Sequence, residues 1–272
     1  MSARRPGHRR SRAGAVSLSL VVSTLCCGCA ARHRAIRHPV PAALPSVAAL
    51  EAVLASRRET LNSLRALARL RYTDRHESVA SREAIVVARP DRLRVEVLSL
   101  FGSIFVLVAD HGLMTAYARK ENTVYRGMAS PENLEEYVHL GLSVDALVDV
   151  VLGTPPPSQA ANARVSFDGD VGAVRLDRQS QDRAQIVWFS AIPLPIATEE
   201  RRDGGAEWRA TFAEYKEQGG LPIATRIGLD MPAASRSVQI TLHEIDVNPS
   251  LDDSVFTLPV PPGSEVVDLR SN

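Results

Sequence analysis

Arg92-Leu93-Arg94-Val95-Glu96-Val97-Leu98-Ser99-Leu100-Phe101-Gly102-Ser103-Ile104-Phe105-Val106-Leu107-Val108-Ala109 carries two strand signatures in succession. Leu93, Val95 and Val97 alternate with Arg92, Arg94 and Glu96, the pattern of a half-buried strand. Ile104 to Ala109 is apolar on both faces. Between them lies Leu100-Phe101-Gly102, where the glycine permits a turn.

Working outward, strand-like pieces recur at short intervals. Leu70 to Thr73 reads as the first strand and Ala80 to Ala88 as the second, with Leu113 to Ala118 and Thr123 to Arg126 beyond the opening pair. Further pieces span Arg164 to Phe167, Ala173 to Leu176, Gln185 to Phe189, Ile196 to Arg201, Ala206 to Tyr215, Ile223 to Met231 and Val238 to Val247. In the last of these, Val238, Ile240 and Leu242 share one parity while Ile245 and Val247 take the other. A bulge near His243 would account for the switch.

Helices interrupt the strands. Ser46 can cap a helix whose stripe runs Val47, Leu50, Leu54, Leu61, Leu64. Ser130-Pro131-Glu132 places a cap, a first-turn proline and an acid in order. Ser143 opens a third helix, apolar through Leu147, Val148, Val150, Val151 and Leu152, which stops at Gly153 with Pro155 to Pro157 beyond. The order is helix, strands, helix pair, strands. It predicts an α+β, mainly β fold in which helices pack on one side of a strongly curved antiparallel sheet. Helices in the mouth of an open barrel would close an apolar cavity. The same faces could also meet as a filled core, and pattern alone leaves both open.

The N-terminus is a targeting signal rather than part of the fold. Arg4, Arg5, Arg9, Arg10 and Arg12 precede the apolar run Ala13 to Leu25, which falls short of the ~20 residues a spanning helix needs. Leu25-Cys26-Cys27-Gly28-Cys29 then reads as a lipoprotein cleavage box. Residues 1–28 are expected to be removed and Cys29 lipidated, although Cys26 stands where such boxes usually carry Leu. The chain has three Cys, all between positions 26 and 29. Cutting before Cys29 leaves one without a partner, best used as an acyl attachment point. Residues 29–45, basic and then Pro-rich, read as a tether, and 46–272 as one domain.

The formal net charge of the whole chain is +1, much of the positive side coming from the signal and tether. The body is therefore not basic, which argues against nucleic acid as a partner. No catalytic or metal-ligating spacing stands out. His243-Glu244 lacks the second His of a zinc-protease helix, His76, His111 and His139 lie on separate segments, and no Gly-x-Ser-x-Gly elbow occurs. Gly204-Gly205 and Gly219-Gly220 read as turns, Asp252-Asp253 as a turn or helix start, and Trp188 and Trp208 as strand residues in core or cavity wall. No cofactor, no metal and no enzymatic activity are expected.

Three pieces between Arg89 and Pro157 resemble the LolA/LolB lipoprotein-localisation superfamily, its LolB branch of outer-membrane receptors in particular. Arg89-Pro90-Asp91-Arg92-Leu93-Arg94 is similar to the family's Pro-Asp/Glu-Arg/Lys lead into a strand. Ser99-Leu100-Phe101-Gly102 is similar to its Pro-Leu-Gly loop, and Leu142-Ser143-Val144-Asp145-Ala146-Leu147 through Gly153-Thr154-Pro155 to its helix ending in Leu-Gly-x-Pro. The chain departs from the pattern in lacking the loop proline and in its C-terminal run Ser254 to Pro259.

The resemblance implies an incomplete antiparallel barrel with a helical lid and a cavity for acyl chains of lipoproteins or lipids. Val95, Val106, Leu147, Val151 and Trp188 are the expected cavity and lid residues, and Leu100, Phe101 and Gly102 the membrane-insertion loop. Phe101 could instead be a buried hairpin-end aromatic. Ala30 and Ala31 after the lipid Cys, with no Asp at the second position, imply anchoring in the outer membrane at its periplasmic face, where a LolA-like carrier could deliver cargo. A tethered sensor or assembly scaffold on the same fold is the alternative.

Overall fold

The structure, a computed structural model, describes residues 38–269 apart from 139 and 161. The signal of residues 1–28, Cys29, the tether as far as residue 37, and His139 lie outside the described residues.

Helix α1 (Val47–Thr60) opens the domain, and Ser46 Oγ accepts from the backbone N–H of Ala49 at 3.1 Å. A meander follows: β1 (Ser63–Thr73), β2 (Ser78–Ala88), β3 (Arg92–Ser99), β4 (Gly102–Asp110), β5 (Leu113–Ala118) and β6 (Thr123–Met128). Helices α2 (Pro131–Val138) and α3 (Val144–Val151) come next. A second meander comprises β7 (Asn162–Asp168), β8 (Ala173–Gln179), β9 (Arg183–Phe189), β10 (Pro195–Arg202), β11 (Gly205–Gln218), β12 (Leu221–Met231) and β13 (Arg236–Val247). A short 3-10 turn at Asp253–Phe256, opened by Asp252, and β14 (Glu265–Asp268) complete the order.

All fourteen strands form one sheet, in the order β14-β6-β5-β4-β3-β2-β1-β13-β12-β11-β10-β9-β8-β7. Every pairing is antiparallel except β14 with β6. The two meanders join where β1 pairs with β13, and β7 and β14 stay as free edges, so the curved sheet does not close. This topology dictates the lid. The chain leaves β6 near one edge and re-enters at β7 on the other, so α2 and α3 cross the concave face.

Strand parity sorts the side chains. Leu64, Ala66, Ala68 and Tyr72 of β1 are buried on the concave face, while Arg65, Arg69 and Arg71 are exposed on the other. The concave residues of β1–β5 and β11–β13 form the main core with Leu134, Leu142, Val148 and Leu152 of the lid segment. Helix α1 fills the far end of the trough, packing Leu50 and Leu54 on Leu176, Val187 and Phe189. On the convex side, Phe256 of the 3-10 turn covers Val86, Val106 and Val108, which is why β4 is apolar on both faces.

The expected bulge lies at Glu244, where Arg65 faces Asp246 but Leu67 faces His243. Glu244 adopts a positive φ of 49°. Two expectations need correction. Helix α1 ends at Thr60, so Leu61 is its C-cap and Leu64 belongs to β1 rather than to the helical stripe. Accordingly β1 begins at Ser63, not Leu70, because the backbone N–H groups of Asn62 and Ser63 donate to Asn248 Oδ1 and lead the chain into pairing with β13.

Candidate functional site

Under the lid the concave face is not completely filled. A cavity of about 300 Å³ lies between the strands and α2–α3. Its strand wall comes from Leu70 and Tyr72 of β1, Ser81, Glu83 and Ile85 of β2, Leu93, Val95 and Val97 of β3, Phe105 of β4 and Leu229, Val238 and Ile240 of β12 and β13. Its roof is Tyr137, Leu140, Leu147, Val150 and Val151. Tyr137 stacks on Phe105 with ring centroids 6.3 Å apart and tilts against Tyr125 at 5.2 Å. Burial pushes the Tyr137 phenol up to about 12, and its hydroxyl has no hydrogen-bond partner among the described residues.

The cavity opens at the end of the sheet that carries the β1–β2 turn, because Glu77 and Val79 are its exposed lining residues. Antiparallel register puts the β3–β4 tip at the same end: Glu83 faces Val97, and Ser99 faces Gly102. There Leu100 is 93% exposed and Phe101 89%, with Val79 and Ile104 half exposed nearby. The tip backbone is fixed while its side chains project. Ser99 Oγ donates to Gly102 O at 2.7 Å, and Arg119 Nη1 donates to Phe101 O at 3.0 Å. Gly102 has φ +100°, which its missing Cβ allows.

The opposite end of the lid is clamped. Asp149 on α3 is 1% exposed and forms ion pairs with Arg58 of α1, at 2.6 Å, and with Arg89 in the β2–β3 turn. Arg89 also donates to Leu61 O at 2.9 Å and to Thr154 Oγ1 at 2.7 Å. These guanidinium groups lie at the C-terminus of α3, where positive charge complements the helix dipole. Burial, then the neighbouring Arg58 and Arg57, lower the Arg89 guanidinium to about 10. The chain leaving the lid is held as well. Gln185 Nε2 donates to Pro156 O at 2.9 Å and to Glu200 Oε1 at 2.5 Å, and Arg178 Nη1 donates to Gln185 Oε1 at 2.5 Å.

Of the residues singled out from sequence, Val95, Leu147 and Val151 meet on the cavity wall. Val106 and Trp188 do not. Leu107 faces the main core, so Val106 points outward under Phe256. Val187 and Phe189 face α1, so Trp188 points to the convex side, where Nε1 donates to Asp168 Oδ2 at 2.9 Å and Arg209 lies 4.9 Å over its ring. Leu100 and Phe101 stand in solvent. The sequence pattern alone does not single out Glu83, Tyr137 or Asp149. A lone acid inside Leu147-Val148-Asp149-Val150-Val151, or at the core parity of β2, is the signal that marks such groups.

No protein-family model matches the sequence, and no curated protein matches it. Solved structures do match in fold. A DUF1329 family protein from Desulfovibrio piger superposes with a TM-score of 0.55 at 11% identity, over 79% of this chain and 98% of that one. A LolA superfamily protein from Nitrosomonas europaea gives 0.53 at 12%, over 77% and 97%. An outer membrane lipoprotein-sorting protein domain from Vibrio parahaemolyticus gives 0.50 at 13%, over 76% and 94%. The chain therefore has the LolA-like fold: one unclosed, curved sheet with helices across its concave face.

Two outcomes follow from the clamp. Asp149→Ala leaves Arg89 buried beside Arg58 with no counter-charge, and should lower unfolding free energy by about 3–5 kcal/mol in urea titrations. Glu200 is raised by burial from 4.5 to about 7. A raised folded pKa means that its stabilising contribution is complete below the unfolded value and is lost as pH rises through the folded one. The urea midpoint should thus fall between about pH 5 and about pH 8, and less steeply in Glu200→Gln.

Proposed function

We propose that this chain is a lipid-anchored envelope lipoprotein whose cavity accepts or carries acylated cargo, lipoproteins or lipids, at the periplasmic face of the outer membrane. In this reading residues 1–28 are the export signal, Cys29 carries the anchor, residues 29–45 are the tether and 46–272 the working domain. A periplasmic LolA-like carrier would be the donor. The observation that carries the proposal is the apolar cavity of about 300 Å³, at the lower end of ligand-pocket sizes. It opens beside a tip with two of the most exposed large apolar side chains in the described residues. The folds it resembles include that of the lipoprotein-sorting protein domain from Vibrio parahaemolyticus, which supports the same class of task.

The energetics are simple. An acyl chain entering the cavity gains ~0.8 kcal/mol per buried methylene. A bilayer offers the same gain, so cargo can pass between the two with no nucleotide and no covalent step. Phe101 and Leu100 would enter the bilayer first and bring the cavity mouth to the lipid. An exposed Phe contributes about 1.5–3 kcal/mol on such burial.

A fluorescent fatty acid should bind the full chain saturably and be displaced by a diacylated lipopeptide. In Phe101→Glu that affinity and the unfolding midpoint should stay as in the wild type, since the ring touches little of the fold. Delivery of lipopeptide to vesicles should fall by about tenfold or more. A chain that binds no acyl probe would remove the carrier reading and leave a tethered scaffold.

A further inference from the structure

Glu83 is out of place on a greasy wall. It lies on the concave face of β2, level with Val97 of β3, and is 6% exposed. Its neighbours in the lining include Ile85, Val95 and Val97. Ser81 Oγ donates to Oε1 at 2.8 Å, and among the described residues no other hydrogen bond or ion pair reaches the carboxyl. Burial pushes this carboxyl above its ordinary range, and only the Ser81 hydroxyl opposes the shift. A buried acid lacking a counter-charge is costly unless something else donates to it.

The rest of the polar lining lies beside it: Ser81, Tyr72 and Glu77 stand on the same β1–β2 hairpin, toward the mouth. The cavity therefore has a polar rung on this hairpin, near its mouth, and apolar walls deeper in at Ile85, Leu93 and Leu147. That is the arrangement an amphiphile would fill, with its chain inward and its head at the rung.

We infer that the cavity takes an amphiphile whose polar end donates N–H hydrogen bonds, an amine or an amide, and that Glu83 receives them. The inference rests on the acyl-chain reading above and names the head group that the chain must carry. A carboxylate head has no N–H to donate at the same place.

The test titrates the full chain with dodecylammonium, dodecanamide and dodecanoate by calorimetry. Dodecylammonium should bind about tenfold to a hundredfold more tightly than dodecanoate, the range of one charge-assisted hydrogen bond. Dodecanamide should fall between them. Glu83→Gln should bring the ammonium and carboxylate affinities within about threefold of each other while retaining chain binding. Glu83→Leu should do the same with an unfolding midpoint at or above that of the wild type. Glu136→Gln, an exposed acid on α2 outside the cavity lining, should keep the preference and so separates Glu83 from general charge attraction. Equal affinities in the wild type, or a preference that survives Glu83→Gln, would overturn the head-group assignment while leaving the acyl cavity in place. Binding of none of the three would remove the acyl reading, and this inference with it.

Discussion

The concave face of the sheet presents more apolar surface than its helices can cover. Strands β1 and β2 are each 11 residues long, or about 36 Å at strand rise. Helices α2 and α3 have 8 residues each, about 12 Å apiece. Topology obliges these two helices to bridge the trough, because the chain must travel from β6 to β7, and it gives them no length to seal it. A filled core at one end and a cavity at the other follow from this mismatch. At the filled end Leu64, Val87, Val148 and Leu152 are essentially inaccessible. At the other, Val95, Val97 and Phe105 remain only partly covered.

The ion cluster decides which end is which. Asp149 is held by Arg58 and Arg89 at the end of the sheet where β2 turns into β3, so α3 is fixed there. A buried pair of this kind adds little net stability relative to an apolar replacement, but breaking it is expensive. Its consequence is positional: the helix cannot slide toward the cavity without stranding a charge. The rest of the roof, Tyr137 and Leu140, makes stacking and dispersion contacts, which give way at lower cost than a buried ion pair. The lid is stiff at its anchored end and compliant over the mouth.

Much of this fold was legible in period-two alternation. Leu93, Val95 and Val97 gave β3, the parity switch at Ile245 gave the bulge at Glu244, and Gly153 gave the end of α3. Errors arose where two periods coincide. Leu61 and Leu64 are three apart, which suits a helix, yet they straddle the junction of α1 and β1. The alternation of Leu64, Ala66 and Ala68 with arginines was masked because alanine is a weak apolar signal. Parity also tells which residues share a face without telling which face is concave. The expectation of Trp188 and Val106 in the cavity fails for that reason, and the structure covers one with Arg209 and the other with Phe256. The clamp and the acid in the cavity depend on contacts between residues 60 to 91 positions apart or on three-dimensional enclosure, and a linear pattern carries neither.

The two ends of the sheet therefore have different jobs, and their charges reflect it. At the clamped end guanidinium groups outnumber the carboxylate they enclose, and Arg89 and Arg57 also donate to the backbone carbonyls of Leu61 and Pro222. At the open end Asp74, Arg75, His76 and Glu77 mix both signs of charge along the β1–β2 turn, beside bare Leu100 and Phe101 on the next hairpin, whose tip Arg119 also reaches. In the proposed reading this tip meets lipid through apolar insertion, which is largely insensitive to screening by salt, unlike attraction between exposed charges. Inside the mouth, Glu83 would favour cargo whose head donates hydrogen bonds. Such a head could leave for a headgroup phosphate once the tip reached a membrane. The direction of transfer would then be set by what the head group prefers, since the hydrocarbon gains about as much in the cavity as in the bilayer.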